Sequence, residues 1–442
     1  MNSNTSQPFP SQTQCVVIGG GIAGVMTAYF LAQKGIPVVL CEKGTIAAEQ
    51  SSRNWGWIRV QGRDIREVPL AIHAQKLWHE LATRIGAENI GFSQCGVAYL
   101  TDSTKTLQNY AAWAEKTAAL KSEQNACKVI DAATARGILK SNSSPIIGGI
   151  LTDSDCRAEP ALAVPAFAKE AQANGAQIIS QCAVRGIETT AGNISAVITE
   201  KGPIKTSSVV LAGGAWSSLF CRSLGIRLPQ LKVLASVCRT EPAPLVSETS
   251  VYTDKFSFRR RLDGGYTLTA AGSNSFPMVP DAFRFLNDFW PLVKSEVRDG
   301  EFRPKLDHRF FQELTQPGWK LDEISPFEKI RILDPKPCDT HIRKSLQAAE
   351  AHSPAFGTLK LAESWAGMID VTPDVLPVLD SIDTHPGLFM ATGFSGHGFG
   401  VGPATGHVMA DLVTGDTPVV DLAPFKFSRF SDGTKMEGQR HL

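Results

Sequence analysis

The stretch from Cys15 to Lys43, CVVIGGGIAGVMTAYFLAQKGIPVVLCEK, constrains this chain more than any other. Cys15–Ile18 is a short apolar run suited to a buried parallel strand. Gly19-Gly20-Gly21-Ile22-Ala23-Gly24 then spells G-x-G-x-x-G. Ile22, Val25, Met26, Tyr29 and Phe30 recur at helical spacing, which predicts a helix with one apolar face. Gly35 is placed to stop that helix, and Pro37 cannot continue it. Val38–Cys41 reads as a second buried strand, with Glu42 at its C-terminal end.

Each part has a physical task. Gly19 permits the tight turn out of the strand, Gly21 lets a pyrophosphate approach the backbone, and Gly24 lets the helix lie close to the sheet. Ile22 and Ala23 open the helix, whose unpaired N–H groups and positive dipole end suit a phosphate. Glu42 can accept hydrogen bonds from both hydroxyls of an adenosine ribose and would repel a 2′-phosphate. Strand, glycines, helix, second strand and terminal acid occur in order, so the unit reads as a dinucleotide site rather than a plain glycine turn.

A chain of 442 residues has room for two or three domain-sized units. Its net charge of +1 implies no general affinity for nucleic acid or acidic membranes. The nine cysteines are scattered, odd in number and without a C-x-x-C pair, which fits free thiols in a reducing cytoplasm. The histidines form no H-x-H or H-x-x-x-H pair, so no metal site is expected. The opening MNSNTSQPFPSQTQ is polar and reads as a disordered lead-in rather than a signal peptide. No run reaches membrane-spanning length. Oligomeric state has no signature.

After Glu42 and Lys43 comes a loop rich in Ser, Arg, Trp and Gly, with arginines at 53, 59 and 63; a loop this long after a nucleotide unit is usually functional. Leu70–Ile85 has helical periodicity. Ala161–Ala173 is helical if Pro165 lies in its first turn. Ala191-Gly192-Asn193 reads as a hairpin turn, and a strand runs into Ala212-Gly213-Gly214-Ala215-Trp216. From Gln230 the alternation in Val233–Thr240, Ser250–Arg261 and Gly265–Ala271 marks an antiparallel sheet with one open face. Pro280–Asp299 and Cys338–Glu350 read as helices, and Leu359–Ile369 as a strand.

A second glycine cluster, Gly393-Phe394-Ser395-Gly396-His397-Gly398-Phe399-Gly400-Val401-Gly402-Pro403, follows the apolar strand Gly387–Thr392. The spacing predicts a glycine-rich cradle for a flat ligand, then a helix over 403–414 with Pro403 first and Gly415 as its stop. A helix N-terminus aimed at a reduced flavin would stabilise the charge that develops there. NAD alone would not explain this second cradle.

The GGGIAG with Glu42, the mid-chain VVLAGGAWS and the C-terminal ATGFSGHGFGVGP together resemble the FAD-dependent amino-acid oxidase family, which includes glycine, sarcosine and D-amino-acid oxidoreductases. The resemblance spans nearly the whole chain. It implies an α/β fold: a Rossmann-type FAD-binding domain, in pieces 1–90, 151–228 and 345–442, with an inserted antiparallel-sheet substrate domain, 91–150 and 229–344. It implies FAD held by Gly19, Gly21, Gly24 and Glu42. Ser51, Ser52 and Arg53 would lie near the pyrophosphate and flavin, Ala212, Gly213 and Trp216 along the adenine end or cofactor wall, and Gly396, His397, Gly398 and Phe399 along the flavin ring. The implied reaction is hydride transfer to flavin N5 from a carbon bearing the amine of a secondary amine or D-amino acid.

Three positions depart from sarcosine-oxidase-like members. No cysteine stands near Gly367, so FAD is expected to be non-covalent. A lysine that holds the substrate carboxylate is replaced by Gly400. The oxygen-activating lysine corresponds to Thr267, which leaves O2 or another acceptor open. The alternatives are the flavin subunit of a heteromeric dehydrogenase, passing electrons to a partner or quinone, and a non-catalytic FAD scaffold. Arg59 resembles the carboxylate-binding arginine, or forms a surface salt bridge. His397 is a pocket-lining or basic candidate, and Tyr266 a weaker catalytic one. Arg259, Arg260 and Arg261 lie on an expected strand with alternate ones on opposite faces, so that one enters the pocket or, the favoured reading, they form an exposed basic sheet edge, and Trp55, Trp57 and Trp365 read as core or pocket wall.

Overall fold

Cys15–Ile18 lies inside a six-stranded sheet in the computed structural model, which describes residues 8–120, 126–142, 144–270, 275–298, 304–305, 308–315 and 318–436. The strand order is Val378–Ser381, Leu388–Thr392, Ser208–Leu211, Cys15–Ile18, Val38–Cys41 and Gln177–Ile179. All neighbours pair in parallel except the edge strand Val378–Ser381. The expected lead-in at 1–7 and the tail at 437–442 lie outside the described residues.

The helix Ile22–Gln33 is buried along its whole length from Ile22 to Ala32. This corrects the expectation of a single apolar face. An apolar helix of this kind must be covered on several sides, and here Pro160–Ala173 and Gly398–Thr414 both pack on it. Gly24 touches the turn it follows: a Cβ there would overlap Gly19 O.

The last helix runs Gly398–Thr414, so Pro403 sits inside it rather than at its start. Half of the second glycine cluster is therefore helix. A Cβ at Gly402 would lie 2.6 Å from Ile22 Cγ1, and one at Gly406 would overlap the Met26 backbone. These glycines let two helices approach closely, which the loop reading did not foresee. Pro165 is likewise internal to Pro160–Ala173. The hairpin between Val184–Thr190 and Asn193–Thr199 turns on Ala191 and Gly192, both at positive φ as a type I′ turn requires.

An eight-stranded sheet forms the second layer, in the order Leu361–Val371, Leu231–Thr240, Tyr266–Ala270, Phe256–Arg260, Ser250–Thr253, Val97–Thr101, Gly148–Thr152, Cys127–Asp131. Leu361–Val371 pairs along Leu231–Thr240 and the helix Asp339–His352 packs on the same sheet. Both elements therefore lie with the second sheet. Among the described residues, no helix is long and apolar enough to cross a membrane.

Candidate active site

Two hollows that share the lining residue Gln50 lie near the junction of the sheets. The first, about 840 Å³, is lined by Gly19, Gly21, Glu42, Lys43, Ala212, Gly213 and Trp216 among others. It lies beyond the carboxyl ends of Cys15–Ile18 and Val38–Cys41, where ligands bind open α/β sheets. Gly19 has φ +109, and a Cβ on it would overlap Ala212 O, so the first and middle glycine motifs touch. Gly21 caps the helix without a side-chain hydrogen bond, and Ile22 N donates to Ser51 Oγ at 2.9 Å. Glu42 accepts from Gly20 N and Gly44 N, each at 2.6 Å. Burial raises its pKa, and those two amides oppose the rise.

The second hollow, about 1170 Å³, is lined by Arg53, Trp55, Trp57, Arg59, Arg63, Tyr99, Tyr252, Thr269, Gly396, His397 and Phe399 among others. Gln50 lines both hollows, and its buried Oε1 has no hydrogen-bond donor among the described residues. Trp57 Nε1 is likewise buried and unpartnered. An unsatisfied buried amide oxygen is costly alone. Here it stands between the two hollows, where a dinucleotide long enough to reach from one to the other could offer it a donor. The glycine cradle, the acid at the strand end and this orphaned oxygen fit FAD.

The turn before the last helix is pinned by Asp370, whose Oδ2 accepts from Gly393 N at 2.7 Å and Phe394 N at 3.3 Å. Burial pushes that carboxyl up to about 6. Ser395 has φ +52, a conformation sparsely populated by non-glycine residues and often found at functional sites.

The arginine loop is pinned by a second acid. Asp155, fully buried, accepts from Val60 N at 2.7 Å, Gln61 N at 3.2 Å and Gln75 Nε2 at 2.6 Å. Burial raises its pKa to about 6, against the pull of those donors and of Arg59. The folded value lies above the unfolded one, so the folded state holds the proton more tightly. That contribution is complete below about pH 4 and lost as pH rises through 6. Asparagine offers one oxygen to three converging donors, so Asp155→Asn should cost about 2–4 kcal/mol at pH 7. Urea unfolding at pH 4 and 7 measures both the loss and the expected flattening of the pH dependence.

Several expected site residues sit elsewhere. Tyr266 is fully buried, its hydroxyl donating to Pro244 O and accepting from Val246 N, and it packs edge-on to Phe258 and Phe356. Its ring belongs to the core of the second sheet and does not line the large hollow. Ser52 Oγ donates to Glu49 O at 3.3 Å, and Ser52 lines neither hollow. The space beside Gly398 is taken by Phe394. Ile22, Ala23 and Gly24 pack in the buried helix; Gly24 serves the helix–turn contact, not the hollow. Arg259 is not an exposed edge residue: its Nη1 and Nη2 each lie 2.8 Å from a Glu159 oxygen, and its Nε donates to Trp55 O. Arg53 binds the carbonyls of Leu333 and Ala366. Trp365 donates to Arg53 O. Thr269, not Thr267, lines the large hollow; Thr267 sits in a small recess with Trp55 and Trp57.

Arg59 lines the large hollow, lies 5.6 Å from the centre of the Tyr99 ring and donates to Gln61 O. Among the described residues it has no carboxylate partner within 4.0 Å. Glu67, Gln50, Asp155 and Tyr99 escaped the sequence reading; each acts through contacts between distant segments that no local pattern reports.

A family model described as FAD dependent oxidoreductase (DAO) matches residues 14–412. Mitochondrial sarcosine dehydrogenase of Mus musculus is 24% identical over 433 residues, covering 96% of this chain. The chain spans only 42% of that relative's length. N-methyl-L-tryptophan oxidase of Salmonella agona is 24% identical over 94% of this chain and 98% of its own length. Among solved structures, L-amino acid deaminase from Proteus myxofaciens, in complex with anthranilate, is 32% identical with a TM-score of 0.90, covering 96% of this chain and 95% of that one.

Proposed function

Because the chain belongs to the DAO family of FAD-dependent oxidoreductases, we propose that it oxidises the carbon–nitrogen bond of a small amine that carries a carboxylate. Arg59 carries this reading, as a cation in the large hollow with no carboxylate within 4.0 Å among the described residues. A guanidinium grips a carboxylate through two parallel hydrogen bonds. The similar proteins named for sarcosine, N-methyl-L-tryptophan and L-amino acids support an amino acid or its N-methyl derivative. Neither the deaminase nor the tryptophan oxidase name carries a D configuration, so an L-configured or achiral substrate is favoured over the D-amino acid expected from sequence.

FAD, when bound, would supply the electron sink for oxidation of the carbon that bears the amine. The chain's residues do the rest. Gly19, Gly21 and Glu42 hold the dinucleotide along the first hollow, while Arg59 orients the substrate by its carboxylate. Trp55, Trp57, Tyr99 and Tyr252 wall the hollow and limit water. His397 is buried, and desolvation, then the charges of Arg63 and Arg59, hold its pKa well below the usual value. It is neutral at pH 7 and can accept a hydrogen bond from an amine N–H. The imine product hydrolyses in water.

Binding is proposed to be non-covalent. A Cβ on Gly367 would overlap Gln50 Oε1, and no cysteine lines the large hollow among the described residues. Acid precipitation of the purified protein should therefore release the yellow chromophore into the supernatant; a chromophore retained in the pellet contradicts this.

A second reading, a dehydrogenase that passes electrons to another acceptor, is supported by the absence of any lysine from that lining among the described residues. Anaerobic bleaching of the flavin by glycine, sarcosine, L-proline, larger L-amino acids, D-amino acids and amines without a carboxylate tests the proposal. Bleaching by a carboxylate-bearing member is expected, and no bleaching by any member defeats it. Admitting air then separates rapid peroxide release from the dehydrogenase reading.

A further inference from the structure

Three side chains from two distant segments meet at the wall of the large hollow. Arg63 and Glu67, four residues apart in the turns that precede the helix Val68–Ile85, form a pair, Nη1 lying 3.5 Å from each carboxylate oxygen, with side chains 2% and 0% exposed. From the last helix's N-terminus, His397 Nδ1 lies 3.0 Å from Glu67 Oε2. The backbone around them is tied in place. Arg63 Nε donates to Arg59 O at 3.2 Å and Trp113 Nε1 to Arg63 O at 2.8 Å. Trp78 Nε1 donates to Gly400 O at 2.9 Å. A Cβ at Gly400 would stand 3.0 Å from Arg63 Nη2 and 3.1 Å from Trp57 O.

We infer that Arg63 and Glu67 are a positioning pair that fixes His397 with its Nδ1–H directed at Glu67 and its Nε2 as the lone-pair nitrogen, and that position 400 is glycine to leave room for the Arg63 guanidinium. This deepens the substrate-site reading of the hollow and rests on it. A carboxylate in an ion pair has no proton to give, so the hydrogen between Glu67 and the ring belongs to the imidazole. Burial disfavours charge on that ring, and the cations Arg63 and Arg59 oppose it further. A lone buried carboxylate favours an imidazolium beside it. Paired with Arg63, Glu67 is already compensated, and the three groups together carry no net charge when the ring is neutral. Arg59, Tyr99 and Asp155 are the other ionisable groups that act on Arg63, and burial lowers its own pKa to about 10. A neutral ring with Nδ1–H leaves Nε2 as the acceptor, the form that can take a hydrogen bond from the substrate amine.

The test uses FAD-loaded protein labelled with 15N in its histidines, and needs no substrate. The ring signals that vanish in His397→Asn belong to His397. In the unsubstituted protein at pH 7 they are expected to show a protonated Nδ1 and an unprotonated Nε2. A proton on Nε2, or a doubly protonated ring, overturns the inference without touching the proposed reaction, which fails separately if no amine bleaches the flavin. Arg63→Met is expected to leave Glu67 uncompensated, so that the His397 ring takes a second proton at a pH higher than in the unsubstituted protein. A purely structural arginine would not move that titration upward, and an unmoved or lowered titration counts against the pair. If Arg63→Met does not fold, Gly400→Ala presses on the guanidinium without removing it. It is expected to shift the His397 ring signals, and unshifted signals contradict the role given to Gly400.

Discussion

Gly406→Val is expected to abolish the FAD-binding fold. The site lies on the last helix where it crosses the buried helix that begins at Ile22, and even a Cβ there would overlap the Met26 backbone. Valine adds two methyl groups in the same place. Neither helix has slack, since residues around the contact are buried on both: Met26 and Phe30 on one, Gly402, Thr405 and Met409 on the other. The helices must move apart, and both termini of functional interest move with them: the turn Gly19–Gly21 at the start of one, His397 at the start of the other. Overpacking of a tight core costs about 1–3 kcal/mol when side chains can yield, and more where backbone is the obstacle, so a loss above about 4 kcal/mol is expected. Soluble yield, thermal unfolding by circular dichroism and flavin content measure it. A yellow Gly406→Val protein with an unchanged melting temperature would show that the two helices are not held at this distance.

Arg59→Met should separate binding from folding. Arg59 is partly exposed to the hollow, and its contacts are a carbonyl, Gln61 O, and the Tyr99 ring. Methionine keeps much of the stem, so the fold and flavin content should persist. The loss should fall on a carboxylate-bearing substrate, with kcat/KM down by about 10²–10³, the range of about 2–5 kcal/mol for removing one member of a desolvated charge pair. Amines without a carboxylate should be affected little. An unchanged KM for the carboxylate substrate would transfer the anchoring role to another cation of the hollow.

The first motif was legible because its whole logic is local: strand, glycines, helix, strand and acid lie within a single stretch, and Gly19, Gly21 and Glu42 line the first hollow. The second motif was half legible. Gly396, His397, Phe399 and Gly400 line the large hollow, but from Gly398 onward the cluster is helix rather than loop. Glycine inside a helix costs about 1 kcal/mol against alanine, so dense glycine reads as loop. The compensation, contact with Ile22 and room for Arg63, comes from segments hundreds of residues away. Distance also hid Asp155, which holds Val60 and Gln61, and Glu67, which meets His397 from the other end of the chain. Tyr266 misled for the converse reason. Its place on an alternating strand is visible, but which face meets the core is decided by Phe356 and the Pro244 carbonyl. Arg259 reads as an edge charge until Glu159 is brought against it.

A matched pair of reductants decides whether this is a carboxylate-anchored amine oxidation. Under anaerobic conditions the FAD-loaded protein is mixed with whichever amino acid of the panel bleaches it fastest, and in parallel with the same molecule lacking its carboxylate. Bleaching by the acid at least 100-fold faster, at equal concentration, is the expected result, on the order of 3 kcal/mol of anchoring. Equal rates for the two, or faster bleaching by the amine alone, would contradict the role of Arg59 and the class of substrate assigned to the site.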